Sequence, residues 1–161
     1  MSDSSASPEG PAYRGIGGWL LFLIVSLTFL NPGVTIYNLY TGYREAHTVF
    51  YLFPGLRTTF LIDVVLSSSM IAFSLYAGIS LWRIKASAVR VAKKYMIAAV
   101  AYALVGAVLP FLAGLPARDN ESMVVPGLVQ FFQTLIYVGV WVSYLTRSKR
   151  VQATFSPGNS E

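Results

Sequence analysis

Residues 58–82 and 95–115 are two apolar runs, each close to the roughly 20 residues a helix needs to cross a bilayer, and they are separated by the basic stretch RIKASAVRVAKK at 83–94. A soluble domain hides its apolar side chains in one core and carries about 25% charged residues. This chain of 161 residues is 55% hydrophobic and 12% charged, more apolar run than one such core can cover. Two further runs, about 16–40 and 124–146, complete the set. The expected fold is all-α, a four-span transmembrane helix bundle.

Charge placement orients the spans. Lys and Arg in short loops stay on the side where the chain is made. Arg83, Lys85, Arg90, Lys93 and Lys94 between the second and third spans share one side with Arg14, Arg147, Lys149 and Arg150, while Arg44, Arg57 and Arg118 fall on the other. Nine against three puts both termini in the cytoplasm. Topology thus accounts for the net charge of +5, and no nucleic-acid partner is implied. Basic clusters beside a membrane attract anionic headgroups, so the lipid bilayer is itself an expected partner. The chain has no Cys and one His, which leaves no disulfide, thiolate metal site, thiol nucleophile or His-based metal centre; no cofactor is expected.

The polar, Pro- and Gly-containing residues 1–14 are expected to be a disordered cytoplasmic N-terminus, 15–155 the transmembrane domain and 156–161 a cytoplasmic tail. The first span is unusual. Its clean apolar part, 16–30, is too short to cross, so the helix must continue through Asn31-Pro32-Gly33, either kinked or broken. Pro32 cannot donate to the carbonyl of Thr28, and the freed groups either bind something, as in the discontinuous helices of transporters, or are satisfied in a packed kink. Residues 41–57 mix aromatic rings with a few charges and end on Pro54-Gly55, as an interfacial loop on the outer surface would, with His47 solvated.

The second span holds Asp63, the one charged residue placed inside a span. At 100° per residue Asp63, Ser67, Met70, Ser74 and Gly78 form a small, polar stripe that must face other helices. Asp63 is either a proton or cation site, as intramembrane acids often are, or a group near the interface capped by Thr59 and Ser67. In the third span Ala99, Ala103 and Ala107 repeat at i, i+4, with Gly106 and Gly114 alongside, a pattern that lets backbones approach closely. Residues 116–123 read as a short loop containing a formal glycosylation sequon at Asn120. In the fourth span Gln130, Thr134, Tyr137, Trp141 and Tyr144 share an inward arc. Asn31, Asp63, Ser67, Gln130 and Thr134 are therefore the candidates for a polar intramembrane site.

No P-loop, nucleophile elbow, HExxH or placed dinucleotide fingerprint occurs, and Asp63 has no second intramembrane acid to work with, so no catalytic residues and no enzyme activity are expected. The opening Gly15-Ile16-Gly17-Gly18-Trp19-Leu20 and the closing Ser148-Lys149-Arg150-Val151-Gln152-Ala153-Thr154-Phe155 resemble the ends of a bacterial family, domain of unknown function 2569. The resemblance spans about 15–155 and implies a multi-pass protein of the bacterial inner membrane with no assigned activity. Two roles fit these features: a non-catalytic accessory, assembly or homo-oligomeric membrane component, or a small oligomeric ion-coupled transporter or channel using Asp63 and the interrupted first helix.

Overall fold

A computed structural model describes residues 16–112 and 117–155. Helix α1 (Trp19–Val25), a π-turn (Ser26–Leu30) and α2 (Asn31–Ala46) form one continuous helix; α3 (Pro54–Trp82), α4 (Ala88–Leu112), α5 (Ala117–Arg147) and a short α6 (Lys149–Phe155) follow. Four segments are long and apolar enough to cross a membrane: Trp19–Ala46, Pro54–Trp82, Ala88–Leu109 and Val124–Arg147. The shortest has 22 residues and rises about 33 Å, enough for a hydrocarbon core of about 30 Å. Among the described residues there is no strand. The fold is the four-helix, all-α bundle expected from the apolar runs.

Several boundaries differ from expectation. Pro54 opens α3 instead of ending a loop, because its fixed φ and missing N–H suit the first helical position, and α2 already covers residues up to Ala46. Only 83–87 connect α3 to α4, so Arg90, Lys93 and Lys94 ride on the first two turns of α4. The stretch read as a loop at 116–123 is helical from Ala117. Gly114 and the segments 1–14 and 156–161 lie outside the described residues.

The end of α3 is closed by backbone bonds. Ile84 N–H donates to Leu81 O (3.1 Å) and Lys85 N–H to Ser80 O (3.2 Å), the paired bonds of a Schellman cap. Glycine normally occupies the left-handed position of this cap, yet here Ile84 holds it at φ 47. A β-branched residue there strains the turn by about 1–2 kcal/mol.

The core gathers toward the end of the bundle that carries this turn. Leu20, Leu23, Ile24 and Leu27 of the first helix pack with Ala77 and Leu81 of α3, Met96 of α4, and Trp141 and Leu145 of α5. Val151 and Phe155 of α6 complete it, so part of the closing motif read as a basic anchor is also core. Leu61, Val65, Ile97, Phe132 and Ile136 are exposed, as lipid-facing side chains must be. Lipid is as apolar as these side chains, so helix association relies on close packing and hydrogen bonds.

Both devices are visible. A Cβ at Gly127 of α5 would stand 3.2 Å from the Ala107 Cα and 3.8 Å from the Gly106 carbonyl oxygen of α4, which places both in the expected small-residue contact, although a Cβ on Gly106 itself would point into open space. On α3 the stripe of Asp63, Ser67, Met70, Ser74 and Gly78 turns inward, with Ser67, Ser74 and Gly78 buried. Ser74 then repairs the backbone ahead of Pro32. In the π-turn the Asn31 N–H donates to Ser26 O, one residue further back than in an α-helix, and the next amide in that register is missing because position 32 is proline. The orphaned acceptor is Leu27 O, and Ser74 Oγ donates to it at 2.7 Å. The helix runs on unbroken through this stretch, which fits the packed kink and not the broken helix of the two alternatives. Ser74→Ala is expected to lower stability by about 1–2 kcal/mol, the range for a buried carbonyl losing its donor between membrane helices, measured by unfolding in mixed micelles.

Candidate functional site

The second effect of the π-turn is rotational. In an uninterrupted α-helix Asn31, Val34, Thr35 and Asn38 would fall on the same face as Leu20, Leu23, Ile24 and Leu27. One extra residue in the turn carries that face about 100° round the axis. Beyond the turn, α2 packs on α3, and among the described residues it is joined to α4 by one hydrogen bond, from Asn31 Nδ2 to the Tyr95 hydroxyl (3.3 Å). A cavity of about 550 Å³ is left between α2, α3, α4 and α5.

Each helix contributes polar groups to it: Asn31, Thr35 and Asn38 from α2, Asp63 and Ser67 from α3, Tyr95 and Tyr102 from α4, and Gln130, Gln133, Thr134 and Tyr137 from α5. Ala99 and Ala103 keep the α4 wall low, so Ala99 faces the cavity instead of a neighbouring helix. All five residues singled out as a polar intramembrane set, Asn31, Asp63, Ser67, Gln130 and Thr134, line this one space.

Asp63 is half-buried and is the single carboxylate among the described lining residues. Tyr102 donates to its Oδ1 at 3.0 Å and Ser67 Oγ to the same oxygen at 3.2 Å, while the two hydroxyls stand 2.8 Å apart. Each hydroxyl has one proton, so three contacts share two protons unless the acid supplies a third. Its partners among the described residues are both hydroxyls, and both meet Oδ1; Oδ2 carries no hydrogen bond. Thr59 does not cap Asp63, because its hydroxyl back-bonds to Leu56 O (2.9 Å) and Gly55 O (3.2 Å). Thr134 likewise gives its proton to Gln130 O (2.8 Å), so its oxygen reaches the cavity as an acceptor. The Tyr137 hydroxyl is buried with no hydrogen-bond partner, although Asn31 lies beside it.

Tyr102, the closest partner of Asp63, was not among the sequence candidates. A tyrosine inside an apolar run looks like core, but Tyr95, Ala99, Tyr102 and Ala103 fall at i, i+4, i+7 and i+8 and mark one face of α4. Asn31, Thr35 and Asn38 repeat the same spacing on α2.

The model of a family described as a protein of unknown function (DUF2569) matches residues 13–156. The chain belongs to this family. Both the opening and the closing motif fall inside the match, and no curated protein and no solved structure matches the chain. In this DUF2569 protein the closing motif has a structural use: Val151 and Phe155 seat α6 against the core, while Ser148 Oγ accepts the Val151 N–H at 3.5 Å.

Of the basic anchors, Arg83, Lys85, Arg90, Lys94, Arg147 and Lys149 are exposed and Lys93 half-buried. They ring the bundle end that holds the apolar core, away from the cavity, and none of them lines it.

Proposed function

We propose that this DUF2569 protein is a non-catalytic component of the bacterial inner membrane that holds a small polar solute in its intramembrane cavity, as an accessory or assembly partner of another membrane protein or as a homo-oligomer. The cavity carries this reading. Eleven polar side chains from four helices converge on one space inside the apolar spans, where unpaired polar groups are unfavourable and a wet or occupied site satisfies them. Its volume of about 550 Å³ falls in the range of small-molecule sites, about 300–1,000 Å³. A single carboxylate supports holding over hydrolysis, since paired-acid chemistry needs a second acid.

The basic groups at 83–94 and 147–150 favour an orientation with that end in the cytoplasm, both termini included, and with anionic headgroups against the cations. Asp63 then lies about 14 Å along α3 from Pro54, in the half of the bilayer away from the cytoplasm. Tagged protein expressed at native level and extracted into lipid nanodiscs tests the reading by mass spectrometry. The expected result is a retained polar small molecule, with a stoichiometric membrane partner or a defined homo-oligomer. A monomer that carries neither ligand nor partner overturns it.

The position of Asp63 on the cavity wall favours a second reading, an oligomeric ion-coupled transporter. Asp63→Asn protein that moves solute or protons like wild type in liposomes removes Asp63 from that account.

A further inference from the structure

We infer that the cavity is a site for a small organic monocation, with the free Oδ2 of Asp63 as its counter-ion. The inference rests on the cavity being a solute site and adds the chemical class of the solute. Three observations lead to it. Asp63 is the one acid among the described lining residues, and no basic side chain lines the wall with it to repel a cation. Both donors among the described residues reach the same oxygen, Oδ1, which leaves Oδ2 of this cavity-lining residue without a hydrogen bond. The remaining wall is suited to a cation that is partly apolar: Tyr95, Tyr102 and Tyr137 supply rings, and Asn31 and Gln130 supply carbonyl acceptors.

Size selects the class of cation. A cavity of about 550 Å³ would hold on the order of 18 waters at about 30 Å³ each, far more than a bare sodium or potassium ion fills. An ammonium carried on a small organic body meets both the volume and the charge.

The chain has no cysteine, so a single one introduced at Ala99→Cys reports on the cavity wall. In phosphatidylcholine nanodiscs, labelling by neutral methyl methanethiosulfonate is measured with and without benzyltrimethylammonium chloride, against equal sodium chloride. Cationic aminoethyl and anionic sulfonatoethyl reagents are compared on the same protein. The expected result is saturable protection of at least fivefold by the organic cation and none by sodium, with the cationic reagent faster than the anionic one. Adding Asp63→Asn should abolish both effects. Labelling with no protection and no charge preference overturns the cation assignment and leaves the solute-site reading standing. The same follows if protection survives Asp63→Asn. A cysteine that no reagent reaches until the protein is denatured shows a closed interior and overturns both. The charge preference is read on Ala99→Cys alone, so the result stands even where Asp63→Asn fails to fold.

Discussion

Gly78→Leu is expected to unseat the first helix from α3 and to lower the stability of the protein by about 3 kcal/mol. A Cβ built on Gly78 would run into Thr28 Oγ1 and would lie 3.2 Å from the Thr28 backbone nitrogen and 3.4 Å from Leu27 Cβ. The hydroxyl can rotate aside, but the backbone nitrogen cannot, and it belongs to the π-turn whose geometry Ser74 holds through Leu27 O. Overpacking of a tight contact costs about 3 kcal/mol at the upper end, and a marginally stable domain has only about 5–15 kcal/mol in total. Unfolding curves should give a stability lowered by about that amount, and size-exclusion profiles a larger aggregated fraction. Gly78→Ala should be milder, and Thr28→Ala should partly rescue it by deleting the atom in the way. Thr28→Val alone should be neutral or stabilising, because the Thr28 hydroxyl is buried without a partner and the valine keeps its shape. A Gly78→Leu protein as stable as wild type would show that the two helices do not meet as described.

Replacing Arg83, Lys85, Arg90, Lys93 and Lys94 together by Gln is expected to scramble the orientation of the chain. The count that separates the two sides falls from nine against three to four against three, with Arg14, Arg147, Lys149 and Arg150 facing Arg44, Arg57 and Arg118. Ser87, exposed in the short connection between α3 and α4, is a suitable reporter position. With Ser87→Cys in the otherwise unaltered chain, a membrane-impermeant maleimide should label only after cells are permeabilised. In the Gln variant about half of the molecules should label in intact cells, as near balance in the charge rule predicts. Labelling of the unaltered loop in intact cells would reverse the proposed orientation and place the cavity in the opposite half of the bilayer.

The spans were legible because composition alone forbids a soluble core, and the inward stripes because a period of 3.6 residues sorts side chains by face. Asp63, Ser67, Gln130 and Thr134 could therefore be grouped before their contacts were known, and the cavity does gather them with Asn31, although Gln130 stays exposed. What stayed hidden depends on single bonds or on packing between distant elements. Pro54 reads equally as a loop residue and as the first residue of a helix, and only tertiary context decides. The π-turn rests on one amide choosing Ser26 O over Leu27 O, a difference with no composition signal. Tyr102 became conspicuous only through the 39 residues that separate it in sequence from its partner Asp63. Docking of α6 was masked by the basic residues at its start, which explained the segment well enough without Val151 and Phe155.

The π-turn also bears on comparison within the family. A relative shorter by one residue between positions 26 and 30 would run as plain α-helix, and its counterparts of Asn31, Thr35 and Asn38 would swing about 100° back toward the line of Leu20 and Leu27. It would keep every polar residue in its alignment column and still present a different wall to the solute. Gaps in this five-residue stretch are thus a better guide to shared specificity than identity at the wall positions themselves.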